Sequence, residues 1–191
     1  MIRPAKKEDI KQLVPLIMII LRDMELPLLK TLGEDKIMAL LEEASQEDSY
    51  RYGIARALVV EKDGVIEGVA YGYGDEDEPI IDREWTRLLK EYGIEADNLF
   101  EDKETYPNEW YLDSLVVRKE ARGRGYGSQL LDAVQEVAKT EGYPCVGLNV
   151  DKKNPKAAAL YHRKGFEKVG DMMISGHDYD HLQRKVNVDK D

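Results

Sequence analysis

The chain has 191 residues, 42% hydrophobic and 35% charged, with a formal net charge of −10 at pH 7. That length and apolar content support one packed core without staples, and the single cysteine, Cys145, cannot bridge internally and reads as a small buried apolar residue. An acidic chain whose basic segments lack interleaved aromatics is not a nucleic-acid binder, and no apolar run is long enough to span a bilayer.

"MIRPA" reads as a short strand. Residues 7–21 read as a helix, with Ile10, Leu13, Val14 and Ile17 at helical spacing. The apolar run "LVPLIMIIL" follows Lys6, Lys7 and Lys11, as a secretory segment would. Pro15 interrupts it, however, and Arg22-Asp23 follow with no small-residue cleavage site, so a buried helix in a cytoplasmic protein is expected. A second helix is expected over residues 34–44, burying Ile37, Leu40 and Leu41. Residues 56–74 read as a hairpin turning at Asp63-Gly64, a type I′ signal.

Residues 74–109 carry 13 acidic against 4 basic side chains. Within them Trp85, Leu88, Leu89 and Tyr92 form one apolar helical stripe, and Gly93 is a helix stop. The apolar content is too thin for a separate core, so this stretch reads as an acidic helical insertion in a single domain over 1–191. Residues 109–117 read as a strand, with Tyr111, Asp113, Leu115 and Val117 on one face by period-2 alternation. After a glycine-rich turn, a helix over about residues 127–140 buries Leu130, Leu131, Val134, Val137 and Ala138. Residues 144–150 form the next strand, and a strand–helix–strand crossover makes the two strands parallel. A last helix starts at Asn154 as N-cap with Pro155 at its first position and closes at Gly165; residues 166–175 and 178–186 pair as terminal strands.

The turn after the strand is the most informative stretch. Residues 118–128 hold 4 cations against 1 glutamate, and residues 151–168 hold 6 against 2. Unpaired N–H groups and a partial positive charge at a helix start suit phosphate oxygens, and glycine lets the backbone approach them. The dinucleotide pattern G-x-G-x-x-G fails because Ser128 stands where its last glycine belongs, and G-x-x-x-x-G-K-[ST] is absent. What is present is Arg122-x-x-Gly125-x-Gly127, with Gly123 and Arg124 inside the same turn.

"LVVRKEARGRGYGSQLLDAV" resembles motif A of the GCN5-related N-acetyltransferase (GNAT) superfamily, a strand, [RQ]-x-x-G-x-[GA], then a helix. "NPKAAALYHRKGF" resembles the same family's later motif, and "IRPAKKEDI" its first strand and helix entry. The resemblance covers the length of the chain, with residues 74–109 longer than it expects. It implies an α/β (α+β) fold: one domain with a mixed, mostly antiparallel sheet, a central parallel pair after motif A, and flanking helices. It further implies acetyl-CoA, or another acyl-CoA, as the acyl donor. The backbone of Leu115, Val116 and Val117 would pair with the pantetheine arm. The amides of Arg122, Gly123, Arg124, Gly125, Tyr126, Gly127 and Ser128 would hold the pyrophosphate. Asn154 would bond the pantetheine or a phosphate, and Tyr161 would face the thioester sulfur.

Acyl transfer to an amine needs a proton acceptor for the amine and a donor for the departing thiolate. Tyr161 is the candidate acid. Asp113 is the candidate base or amine-orienting group, with Glu109 a weaker alternative at the strand's edge. His177 and His181 flank "DYD" without a third ligand, so no metal is expected, and His162 reads as surface. The acidic stretch suggests a cationic acceptor amine. A peptide or protein amine is the alternative acceptor, and a non-catalytic acyl-CoA sensor is the alternative class. A homodimer is left open.

Overall fold

The computed structural model describes residues 1–96 and 99–187. Among them, β1 (Ile2–Pro4), β2 (Ala57–Lys62), β3 (Val65–Gly74), β4 (Trp110–Val117), β5 (Cys145–Asp151), β6 (Glu167–Ile174) and β7 (His177–Lys185) form one sheet in the order β1-β2-β3-β4-β5-β7-β6. Neighbours run antiparallel except the central β4–β5 pair, which is parallel. The helices are α1 (Ile10–Asp23), α2 (Pro27–Leu32), α3 (Glu34–Ala44), α4 (Arg83–Glu91), α5 (Tyr126–Thr140) and α6 (Pro155–Arg163). No described helix is long and apolar enough to cross a membrane.

Helices pack on both faces of the sheet's central strands. On one face, Leu13, Ile17 and Leu21 of α1, Ile37 and Leu41 of α3, and Trp85 and Leu88 of α4 pack against Val59, Val69, Tyr71 and Val116. On the other, Leu130, Leu131, Val134 and Ala138 of α5 pack against Ala70, Leu112, Val146 and Leu148. Each such burial stabilises the fold by roughly 1.5–3 kcal/mol, so these stripes set which face each helix presents. The hairpin turn has positive φ at Asp63 (51°) and Gly64 (79°), the type I′ conformation the dipeptide predicts.

Four details depart from the sequence reading. The alternation expected along β4 breaks at a bulge: Tyr71 lies opposite Ser114 but Gly72 opposite Leu112, which leaves Asp113 as the extra residue. Tyr111 packs with Tyr73 and Asp113 reaches Arg51 on the α1/α3 face, whereas Leu115 joins the α5 cluster. Asp113 therefore does not share a face with Leu115. Tyr92 is not on the buried stripe of α4: it caps the helix, is 54% exposed, and donates its hydroxyl to Glu43 at 2.7 Å. The short α2, begun by Pro27, was not predicted, because six residues offer too little periodicity to read. Cys145 is half-buried rather than buried, with its thiol pushed up to about 11 by burial and by the Glu109 charge.

Candidate active site

The centre of the sheet is open. β4 and β5 pair only at Trp110–Val146 and Tyr111–Gly147. Beyond that point β4 stays joined to β3 as far as Val117, and β5 stays joined to β7 as far as Asp151. The two strands are thus held from their outer sides and part from each other. Leu115, Val116 and Val117 line the β4 side of the gap.

At the far end of β4 the chain makes the glycine turn. Gly123 (φ 78°) and Gly125 (φ 80°) are left-handed, and Gly125 is the N-cap of α5. Positive φ is costly for residues with a Cβ, and both glycines have open space where a Cβ would stand. The amides of Tyr126, Gly127 and Ser128 form the first turn of α5, whose N–H groups have no intrahelical acceptor. Arg122 packs back on the strand end, its Nε–H donating to the Val117 carbonyl at 3.2 Å.

α6 stands beside this turn. A Cβ on Gly127 would lie 3.5 Å from Leu160, which places the start of α5 against the residue preceding Tyr161. Asn154 caps α6 as expected, its Oδ1 accepting from Ala157 N–H at 3.2 Å, so the side-chain amide N–H groups are what it can offer a ligand. Tyr161 packs edge-on to Phe166, with ring centroids 5.9 Å apart. Burial pushes its hydroxyl up to about 12, so it holds its proton at neutral pH. The basic charge here is partly cancelled: Lys152 and Lys168 pair with Asp171 and Asp180, and Lys164 with Asp132. Arg122, Arg124, Lys153 and Lys156 have no ion-pair partner among the described residues. Free cations around an amide cradle fit a polyanion.

The opposite face of the gap is acidic and tightly built. Arg51, in the turn after α3, is buried against the Phe100 ring at 4.1 Å. One of its terminal nitrogens donates to Glu104 at 2.5 Å and to Asp113 at 2.7 Å. Its Nε and other terminal nitrogen donate to Asp82 at 3.1 and 3.0 Å. Burial raises the Asp113 carboxyl against the opposing pull of Arg51. Burial likewise lifts Glu104 to about 7, with the Asp113 charge adding to it and Arg51 opposing. The hydroxyls of Tyr50, Tyr52 and Tyr73 nearby are buried and have no hydrogen-bond partner among the described residues.

Glu109, the weaker base candidate, is a brace. It accepts from Tyr106 N–H at 2.7 Å and Gln183 at 2.8 Å and contacts His181 Nε2 at 2.9 Å. Its carboxylate fills the space above Gly147, where a Cβ would come within 1.9 Å of it. His181 is buried, stacked on Tyr106 at 3.9 Å and bonded through Nδ1 to Asn149 Oδ1 at 2.6 Å. His177 lies instead at the β6–β7 turn, in the wall of a cleft of about 610 Å³ with Met24, Leu26, Leu99 and the acids Glu25, Glu101 and Asp102. His162 is on the surface, its Nδ1 bonded to the Phe166 carbonyl at 3.0 Å.

Sequence reasoning missed Arg51, Asp82 and Glu104. The one available signal was an arginine set between two tyrosines in "YRY", a charge in a stretch otherwise suited to burial.

A split sheet whose gap is flanked by an amide cradle and a buried acid cluster defines a group-transferring α/β enzyme fold. Family comparison makes this specific: the chain belongs to the acetyltransferase (GNAT) family, whose model matches residues 24–166. A crystal structure of an acetyltransferase is 48% identical, covers 98% of this chain and 100% of that one, and superposes with a TM-score of 0.89. The crystal structure of an N-acetyltransferase from Staphylococcus aureus Mu50 is 30% identical over 96% of this chain and 99% of that one, with a TM-score of 0.84. By sequence, an acetyltransferase of Agrobacterium fabrum, Atu2258, is 34% identical over 77 residues, 39% of this chain and 55% of that protein. Further curated relatives, both from Bacillus subtilis, are covered over 39% and 24% of their length, so the chain spans about half or less of the curated proteins it matches.

Proposed function

We propose that the protein moves an acetyl group from acetyl-CoA to the primary amine of a cationic small molecule, by direct attack with both substrates bound. The observation that carries the reading is the gap between β4 and β5, with a protonated tyrosine on one face and a buried acid cluster on the other. The thioester supplies an activated acyl carbon. This chain's residues do the rest. The amides from Arg122 to Ser128 and the cations Arg122, Arg124, Lys153 and Lys156 hold the polyanionic end. The edges of Leu115, Val116 and Val117 line up the arm, and Asn154 contributes its amide donors. Alignment of the two reactants supplies much of the rate in such reactions. Tyr161 gives its proton to the departing sulfur. Asp113, fixed by Arg51, sets the charge on the acceptor side.

The cationic acceptor rests on a second cleft, which shares Glu101 and Asp102 with the cleft beside Arg51. The cleft of about 610 Å³ combines Met24, Leu26, Leu28 and Leu99 with Glu25, Glu95, Glu101 and Asp102. Such a lining suits an ammonium group carried on an apolar body. Thiol release from acetyl-CoA across a panel of cationic, neutral and anionic amines tests it. Cationic amines are expected to be preferred, with a preference that weakens as salt rises toward about 1 M. A preference for neutral or anionic amines, indifferent to salt, would overturn the acceptor class.

A further inference from the structure

Resting on the acetyltransferase reading, we infer that Glu104 is the group that takes the proton from the acceptor amine, with Arg51 and Asp113 holding it in position. Nothing in the family motifs points to this residue, which belongs to the acidic stretch ahead of β4.

Three observations carry the assignment. First, the location is right. Glu104 is tied to the opening itself: its carbonyl accepts from the side-chain amide of Asn149 at 2.9 Å, and Asn149 lies on β5 just past the last residue paired with β4. Asn149 also donates to the Tyr111 hydroxyl at 3.1 Å, and Asp113 follows two residues later on β4. Second, the charge count leaves room for a proton. Asp82, Glu104 and Asp113 share the single guanidinium of Arg51, a formal −2 in a buried place. Asp82 accepts from two of the Arg51 nitrogens and is the most exposed of the three, whereas Glu104 and Asp113 each accept from the same terminal nitrogen, which brings the two carboxylates together. Third, Glu104 is held without being used up. Its backbone N–H donates to Glu78 at 2.8 Å, and its carboxyl has Arg51 as its one hydrogen-bonding side chain among the described residues. Arg51 and Asp82 of the cluster wall a cleft of about 390 Å³ together with Glu78 and Thr105, the neighbour of Glu104.

The groups facing Glu104 are Arg51 after α3, Tyr73 on β3, Glu78 and Asp82 before α4, Asp113 and Tyr111 on β4, and Tyr179 on β7. One cation among several acids and neutral phenols favours a protonated carboxyl near neutral pH, in line with the rise of Glu104 to about 7.

An ammonium proton passes to the Glu104 carboxylate, leaving a neutral amine. Its lone pair forms the C–N bond to the acyl carbon while the C–S bond breaks and its electrons go to sulfur. The second nitrogen proton passes to the sulfur by way of Tyr161, and Glu104 afterwards returns its proton to solvent. No oxidant or reductant is needed.

The test is the pH dependence of kcat with a primary amine, for the wild type and for Glu104→Gln. The wild type is expected to show an ionisation between about pH 6 and 8, and Glu104→Gln to lose about 10²-fold in kcat at pH 7 with its KM for acetyl-CoA unchanged. The deficit should shrink as pH approaches the amine's own value near about 10, because a free amine needs no base. A merely structural glutamate would give a deficit that does not change with pH. Glu104→Gln with wild-type kcat and profile, or a pH-independent deficit, overturns the inference. Should that variant not fold, the wild-type profile decides: an ionisation in that window supports Glu104, and a flat profile overturns it. A wild type that releases no thiol with any amine sinks the acetyltransferase reading itself, a different outcome from an active enzyme indifferent to Glu104.

Discussion

Asn149 donates its side-chain amide to the carbonyl oxygen of Glu104 at 2.9 Å. The bond joins the last stretch of the acidic segment to β5 at the place where the sheet opens. What looks in sequence like a solvated acidic loop is therefore part of the wall of the central gap. Its inward acids, Glu78, Asp82, Glu104 and Glu109, each make hydrogen bonds that position backbone or side chains around that gap.

Arg51 should be the most sensitive position in this wall. Arg51→Ala would leave Asp82, Glu104 and Asp113 without their shared cation and remove the Phe100 contact. Breaking a buried ion pair costs about 3–5 kcal/mol. Urea unfolding at pH 7 is expected to show a loss of that size, and less of a loss at pH 5, where a proton can replace the arginine. A loss below about 1 kcal/mol would mean the cluster is not bearing charge as described.

Glu104 also predicts how stability varies with pH. Its folded value, about 7, lies above the ordinary carboxyl value of 4.5 because of burial. Between those values the folded state binds more protons than the unfolded state, so this group's contribution falls as pH rises through the window. Glu104→Gln imitates the protonated form. Its Tm relative to wild type should therefore rise from pH 5 to pH 8; a difference that stays constant or falls contradicts the assignment.

The glycine turn separates fold from ligand. Gly125→Ala forces a Cβ at φ 80°, which costs about 1–2 kcal/mol. Gly127→Ala meets only ordinary contact with Leu160 at 3.5 Å and should leave Tm nearly unchanged. If the α5 amides hold a pyrophosphate, both variants should weaken acetyl-CoA binding in calorimetry. Unchanged affinity in Gly127→Ala would leave that glycine a packing residue only.

Tyr161→Phe keeps the ring against Phe166 and removes only the hydroxyl. Steady-state assays are expected to show kcat lowered about 10²-fold with little change in the KM for acetyl-CoA. Equal losses in kcat and in CoA affinity would make the hydroxyl a binding group instead.

The sheet order's central parallel pair, the type I′ hairpin and the capped α6 were legible because each rests on local rules: a crossover, a dipeptide with positive φ, an Asn-Pro start. The glycine turn itself was legible because glycines at 123, 125 and 127 punctuate a strand-to-helix turn. The acid cluster was not. Its partners come from residues 51, 82, 104 and 113, and no sequence period links a turn after α3 to a strap ahead of β4. Asp113 was placed on the right strand but credited with the wrong neighbours, since a bulge shifts the pleat by one residue and leaves no mark in hydropathy.

Acyl transfer from a thioester to an amine with both bound leaves two products that can be counted. The most direct measurement follows free thiol and N-acetylated amine together while acetyl-CoA and a cationic amine are each varied. Equal amounts of the two products and initial-rate lines that intersect are expected. Thiol without acetylated amine, or tight CoA binding with no thiol released for any amine, would contradict it.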